Sequence, residues 1–177
     1  MRVATTRLEG LLLVEPDVFS DERGFFLETF SGPALAAEGI STGFVQDNHS
    51  RSVRDTIRGL HYQVGAGQAK LVRVARGRIW DVAVDIRRDS PTFGSWEAVE
   101  LDDVEHRQVY VPVGFAHGFC VLSDVADVCY KVSSVYDAEL ERGLLWNDPA
   151  IGISWPVSLP LLSERDRHNP SLAASIG

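Results

Sequence analysis

The sequence predicts an all-β jelly roll with a few short peripheral helices. Three observations point there. Turn-forming clusters recur at short intervals, at Ser20-Asp21-Glu22-Arg23-Gly24, Gly65-Ala66-Gly67, Arg88-Asp89-Ser90-Pro91, Leu101-Asp102-Asp103 and Pro112-Val113-Gly114. The segments between them alternate with period two, as strands with one buried face do. Helical signals are sparse, and many short strands at this spacing build a sandwich or barrel.

Taken in order, the first helical signal is Ser31 to Gly39, two turns with Ser31 or Gly32 as cap and Gly39 as stop. Next, Lys70, Val72 and Val74 share one strand face while Leu71, Arg73 and Ala75 share the other. Trp80, Val82, Val84 and Ile86 alternate with Asp81, Ala83 and Asp85, and Val128, Tyr130 and Val132 with Asp127, Cys129 and Lys131. A second short helix is expected from Ser163, with Glu164 and Asp166 in its first turn. No linker, repeat or low-complexity block interrupts the chain, so one domain over residues 1–177 is expected.

Composition narrows the function. Hydrophobic residues make up 45% and charged residues 24%, values of an ordinary globular protein. A formal net charge of −8 argues against non-specific nucleic-acid binding, which needs a basic surface, but leaves room for a small anion held by a few arginines. The longest apolar stretch near the start, Leu11 to Val14, is too short for a signal peptide, and nothing approaches the roughly 20 apolar residues of a membrane helix. A cytoplasmic protein is expected. Cys120 and Cys129 lie in apolar runs and read as buried free thiols in a reducing compartment.

Several side chains have the makings of a proton-transfer site. His61 sits in Arg58-Gly59-Leu60-His61-Tyr62-Gln63, and His117 enters an apolar strand after a Pro/Gly turn. Tyr130 shares the apolar face of its strand, which suits either a core tyrosine or a general acid held in a barrel. Lys70 shares a face with Val72 and Val74; lysine is rarely buried without a partner, so that face opens onto a cavity, meets an anion, or lets Lys70 snorkel. His49, His106 and His168 read as surface residues. Arg23 and Glu28 flank Phe25 and Phe26, and Gln46 and Asn48 share a polar stretch; each pair suits a ligand or a solvated turn.

Together these segments closely resemble the dTDP-4-dehydrorhamnose 3,5-epimerase family of the cupin superfamily, from about Leu8 to Pro170. The motifs are Ser20-Asp21-Glu22-Arg23-Gly24-Phe25-Phe26, Gln46-Asp47-Asn48-His49-Ser50, Arg58-Gly59-Leu60-His61-Tyr62-Gln63, Lys70-Leu71-Val72-Arg73-Val74, Asp81-Val82-Ala83-Val84-Asp85-Ile86-Arg87, Gly114-Phe115-Ala116-His117-Gly118-Phe119, Trp146-Asn147-Asp148-Pro149 and Leu162-Ser163-Glu164-Arg165-Asp166. The resemblance implies a cupin jelly roll, a homodimer, and a dTDP-4-dehydro-6-deoxy-glucose substrate. It implies His61 as base with Asp166 as its carboxylate, Tyr130 as acid, and Lys70 beside the enolate. It further implies substrate contacts at Arg58 and His117, nucleotide contacts at Arg23, Glu28, Gln46 and Asn48, and ligand contacts at Glu141 and Arg165. Part of the nucleotide site comes from the second subunit in this family. One departure is visible: Arg165 stands where the family usually has lysine, so a planar fork replaces a point charge.

The chemistry needs such a set. A ketone at sugar carbon 4 acidifies the protons on carbons 3 and 5, and inversion requires a base on one face, an acid on the other, and a cation beside the enolate oxygen. No redox cofactor is needed for proton removal and return, and no dinucleotide fingerprint is present. No catalytic metal is expected either: where a metal-binding cupin has His-x-His and a carboxylate, this chain has His61-Tyr62-Gln63 with Gln68 and Lys70. The alternatives are an enzyme inverting carbon 3 or carbon 5 alone, a sugar-nucleotide-binding cupin without turnover, and a metal-dependent cupin oxygenase or isomerase.

Overall fold

The structure is a computed structural model and describes residues 1–176; Gly177, the last residue of the expected domain, lies outside the described residues. Among the described residues there are thirteen strands: β1 (Arg2–Thr5), β2 (Leu12–Glu15), β3 (Val18–Asp21), β4 (Gly24–Leu27), β5 (Gln46–Val53), β6 (Ile57–Gln63), β7 (Lys70–Arg76), β8 (Arg78–Asp85), β9 (Trp96–Asp102), β10 (Gln108–Val111), β11 (Phe115–Val121), β12 (Val125–Val132) and β13 (Glu141–Gly143). They form a six-stranded sheet ordered β1-β2-β10-β7-β12-β5, a five-stranded sheet ordered β13-β6-β11-β8-β9, and a separate β3-β4 hairpin. All the strand pairings in them are antiparallel. The expected all-β jelly roll of the cupin type is therefore the observed architecture.

The alternation read from the sequence sets the faces. Val72, Val74 and Val128 from one sheet meet Ile79, Ala83, Phe115, Phe119 and Val121 from the other in a core between the sheets. The opposite phase of the five-stranded sheet is apolar as well. Leu60, Tyr62, Val82, Val84 and Ala116 pack beneath Leu144, Ile151 and Leu172 of the C-terminal segment. Trp80 meets Trp96 and Trp155 edge-on there, with ring centroids 5.7 and 5.5 Å apart. This double covering explains why every residue of β11 is buried.

Helices are peripheral. Helix α1 (Gly32–Ala37) begins at Ser31, whose hydroxyl accepts from the Ala34 N–H, and gives way to Gly39 at φ 91°. Its Leu35 joins Ile40, Val14 and Leu71 over the outer face of the six-stranded sheet. Helix α2 (Glu164–Arg167) starts at Ser163 as expected. Helix α3 (Leu172–Ile176) was not expected; the Leu172 N–H is held by Asp148 at 2.6 Å, a tertiary anchor with no local signal. Two expectations need correction. Cys129 is only half-buried, because it faces outward from β12. His106 is half-buried rather than a free surface residue, because Phe25 of the hairpin stacks on it at 4.5 Å.

The feature that matters most for function is a β-bulge in β6. His117 of β11 pairs with His61, but Phe119, two residues on, pairs with Arg58, three residues back. In an unbroken strand, residues three apart face opposite sides. The extra residue returns Arg58 to the face of His61. Gly59 in the bulge has φ 134°, and a Cβ on it would lie 2.5 Å from Gly118 Cα. Only glycine fits. Replacing Gly59 by alanine should therefore cost about 2 kcal/mol or more of stability, measured by urea unfolding, and activity should fall further than the unfolded fraction explains because the bulge moves.

Candidate active site

Between the two sheets lies a cavity of about 440 Å³. The five-stranded sheet supplies one wall, with Arg58 and His61 from β6, His117 and Phe119 from β11, and Glu141 from β13. The six-stranded sheet supplies the facing wall, with Gln46, Asn48 and Ser50 from β5, Lys70 from β7, and Tyr130 from β12. Register explains the second group. Tyr130 pairs with Asn48, while Val132 pairs with both Gln46 and Lys70, so these positions share one face.

Two histidine–carboxylate pairs stand on the first wall. His61 Nε2 lies 2.6 Å from Asp166 Oδ1, and His117 Nε2 lies 2.8 Å from Asp81 Oδ2. Asp166 reaches His61 because Leu161 is tied to the start of β6 and the turn before it by two backbone bonds, Ile57 N–H to Leu161 C=O and Leu161 N–H to Asp55 C=O. Burial would raise the Asp166 pKa, but hydrogen bonds from His61, Ser163 and the Gly59 N–H outweigh it and keep the carboxyl below its ordinary value. With Asp166 ionised, His61 Nε2 donates to it and Nδ1 keeps the free lone pair. Asp81 was missed by motif reading. Its signal was a carboxylate in mid-strand sharing a phase with Ala83, a position that needs a buried partner.

Lys70 is buried, with Nζ donating to the His61 carbonyl at 3.2 Å. Burial pushes its pKa down to about 8, against the pull of Glu141 and Asp81. Tyr130 is half-buried against the core, and burial raises its pKa, with Glu141 adding to the rise and Arg58 opposing it. Arg58 donates through Nε to Ser52 Oγ at 2.8 Å, which fixes the guanidinium beside the cavity. Gln46 Nε2 donates to Asn48 Oδ1 at 2.8 Å, and Gln46 Oε1 accepts the Tyr136 N–H at 3.0 Å. Tyr136, unremarked in the sequence, stands at the cavity and donates its hydroxyl to Glu141 at 3.0 Å.

Not every expected residue gathers here. Arg165 forms an ion pair with Glu141 but lines the neighbouring surface grooves, not the main cavity. Arg23 projects from the β3-β4 hairpin, 85% exposed and paired with Asp21, over a separate shallow depression. Glu28 follows the hairpin and is exposed. A single chain therefore brings His61, Asp166, Tyr130, Lys70, Arg58, His117, Gln46, Asn48 and Glu141 together and leaves Arg23 and Glu28 outside. Among the described residues, no three His, Cys, Asp or Glu side chains cluster as a metal site would require.

Comparison with known proteins places this geometry. The family model described as dTDP-4-dehydrorhamnose 3,5-epimerase matches residues 5–174. A dTDP-4-dehydrorhamnose 3,5-epimerase from Shigella flexneri is 52% identical over 168 residues, covering 94% of this chain and 93% of that protein. A dTDP-4-dehydrorhamnose 3-epimerase from Streptomyces niveus is 44% identical over 169 residues, covering 94% and 82%. The crystal structure of a dTDP-6-deoxy-D-glucose-3,5-epimerase from Legionella pneumophila in complex with dTDP-4-keto-L-rhamnose superposes with a TM-score of 0.96 at 44% identity, covering 98% of this chain and 94% of that one. With the family model spanning nearly the whole chain and curated relatives at such identity, the chain belongs to the dTDP-4-dehydrorhamnose 3,5-epimerase family and is an isomerase.

Proposed function

We propose that this protein inverts carbons 3 and 5 of dTDP-4-dehydro-6-deoxy-D-glucose, giving dTDP-4-dehydro-L-rhamnose, by proton transfer through an enolate. The observation that carries this reading is the placement of His61 and Tyr130 on opposite sheets, facing one cavity. Inversion needs a base and an acid on opposite faces of one carbon, and the two sheets hold them apart on the two walls. His61 Nδ1 takes the proton while Asp166 holds the ring and stabilises the imidazolium. Tyr130, kept protonated by its raised pKa, returns a proton from the other wall. The Lys70 ammonium and His117, itself oriented by Asp81, stand beside the developing enolate oxygen. Arg58 serves the diphosphate.

The second copy completes the nucleotide site in this reading. The β3-β4 hairpin belongs to neither large sheet and exposes Phe19, Phe25 and Phe26 at 65, 58 and 71%. Such an apolar patch calls for a partner. In a homodimer the hairpin brings Arg23 and Glu28 to the neighbouring cavity, where one chain alone lacks them.

The Streptomyces niveus relative motivates a second reading, inversion at carbon 3 only. The same base and acid would serve, and sugar pose would decide. Proton exchange separates the two. In deuterated water with dTDP-4-dehydro-6-deoxy-glucose, NMR should show deuterium at both carbons; label at carbon 3 alone selects the narrower enzyme, and no label rejects both. His61→Asn should lose about 10²–10⁴-fold in exchange rate with the fold intact. Tyr130→Phe should retain exchange while inversion falls; equal loss of both would remove Tyr130 from the acid role.

Lys70 ties activity to pH and to stability. Deprotonation through a pKa of about 8 removes the cation, so kcat/KM should decline above that pH, and Lys70→Arg should move the decline upward. A profile flat to high pH would exclude a required Lys70 charge. Stability runs the other way. The folded pKa lies below the ordinary 10.5, so the unfolded chain binds more protons between about 8 and 10.5. The burial penalty is fully present below pH 8 and is relieved as pH rises through that window. Lys70→Met should therefore be inactive yet more stable at pH 7 by roughly 1–3 kcal/mol, as thermal unfolding would record.

A further inference from the structure

The chain is poor in amines. Of its 17 lysines and arginines only Lys70 and Lys131 are lysines. Lys131 Nζ is held by Asp47 at 2.7 Å over the Phe30 ring, and the amino terminus is paired with Asp17. Both amines are thereby engaged by carboxylates. Lys70 differs from them in every respect. It lines the large cavity, its only hydrogen-bond partner is a neutral carbonyl, that of His61, and no carboxylate lies within ion-pairing distance among the described residues. The cavity also presents Arg58, so an anion bound there would lie in the same cavity as the Lys70 amine.

We propose that Lys70 is a site of reversible imine formation with small phosphorylated aldehydes, and that such compounds inhibit the enzyme covalently. In the free-amine form the Lys70 nitrogen adds to the aldehyde carbon, the carbonyl π bond opens, and the oxygen is protonated to give a carbinolamine. Loss of the hydroxyl as water forms the C=N bond. The balance is amine plus aldehyde giving imine plus water, with no change of oxidation state. Arg58 holds the phosphate. The depressed basicity of Lys70 makes free amine available near neutral pH, where ordinary lysines supply almost none. The same amine is harmless to a substrate whose carbonyl is a ketone flanked by ring carbons, because an aldehyde is both less hindered and more electrophilic.

Pyridoxal 5′-phosphate is a suitable probe, since it carries the aldehyde and the phosphate on one ring. The purified protein is incubated with it, the imine is reduced with borohydride, and labelled peptides are counted by mass spectrometry. With Arg58 in the same cavity to hold the phosphate, Lys70 should carry at least severalfold more label than Lys131 or the amino terminus. Activity should fall in step with Lys70 labelling and recover on dilution when the borohydride is left out. Pyridoxal, lacking the phosphate, should label Lys70 at least severalfold more slowly. Lys131→Arg should leave the labelling unchanged, which covers the case in which a Lys70 variant fails to fold. Label spread evenly over the three amines would overturn the proposal. Equal rates for pyridoxal and its phosphate would overturn the phosphate requirement.

Discussion

The site depends on one local irregularity, the bulge between Arg58 and His61. A regular β6 would send Arg58 into the outer layer, toward Leu60 and Tyr62, where a guanidinium has no water and no partner. The bulge instead aims both side chains into the cavity. It also presents the Gly59 N–H to Asp166, so the same backbone that aligns the cation holds the carboxylate of the proposed base. Gly59 and Gly118 make this possible as a pair: a Cβ on Gly118 would lie 2.7 Å from the Arg58 carbonyl, and one on Gly59 would strike Gly118. Two strands approach closely because neither has a side chain at the crossing point.

Around that bulge the protein accepts several buried ionisable groups. Asp81, Asp166, His117 and Lys70 are all nearly inaccessible. Each costs desolvation, and pairing recovers only part of it. The cost is borne by ordinary structure elsewhere. The C-terminal segment covers the outer face of the five-stranded sheet with Leu144, Ile151 and Leu172, and α1 with Ile40 covers part of the other sheet. These layers bury apolar surface far from the cavity and free the cavity walls to be polar. A thin sandwich with two solvated faces would not hold as many buried ionisable groups.

Much of this was legible in the sequence, and the limits have physical causes. Strand phase placed Lys70 with Val72 and Val74, and Tyr130 with Val128 and Val132, and those positions do face the interior. The helix caps Ser31 and Ser163 were readable because capping is a local bond. Asp81 escaped as a partner of His117 because the two meet across β8 and β11, and local sequence does not encode which strands pair. Helix α3 escaped because Asp148, more than twenty residues away, anchors it. The His61–Asp166 pair became readable only through likeness to a family, since 105 residues separate the two.

Arg23 and Glu28 expose a different limit, one of the single chain rather than of the sequence. Their motif is intact, yet their hairpin stands apart from the cavity and displays three phenylalanines to solvent. A hairpin of four-residue strands has little core of its own. Here it leans on the body through Phe25 against His106, a contact that fixes its base and leaves Phe19 and Phe26 unused. An exposed apolar hairpin carrying Arg23 makes physical sense if folding and assembly are two stages of one process. The first stage builds the cavity with the proposed acid and base. In the proposed dimer the second would bury the phenylalanines and deliver Arg23 and Glu28. On that argument substrate binding and dimerisation draw on the same hairpin, so a substitution at Phe26 would weaken nucleotide affinity and dimer stability together while leaving the His61–Asp166 pair untouched.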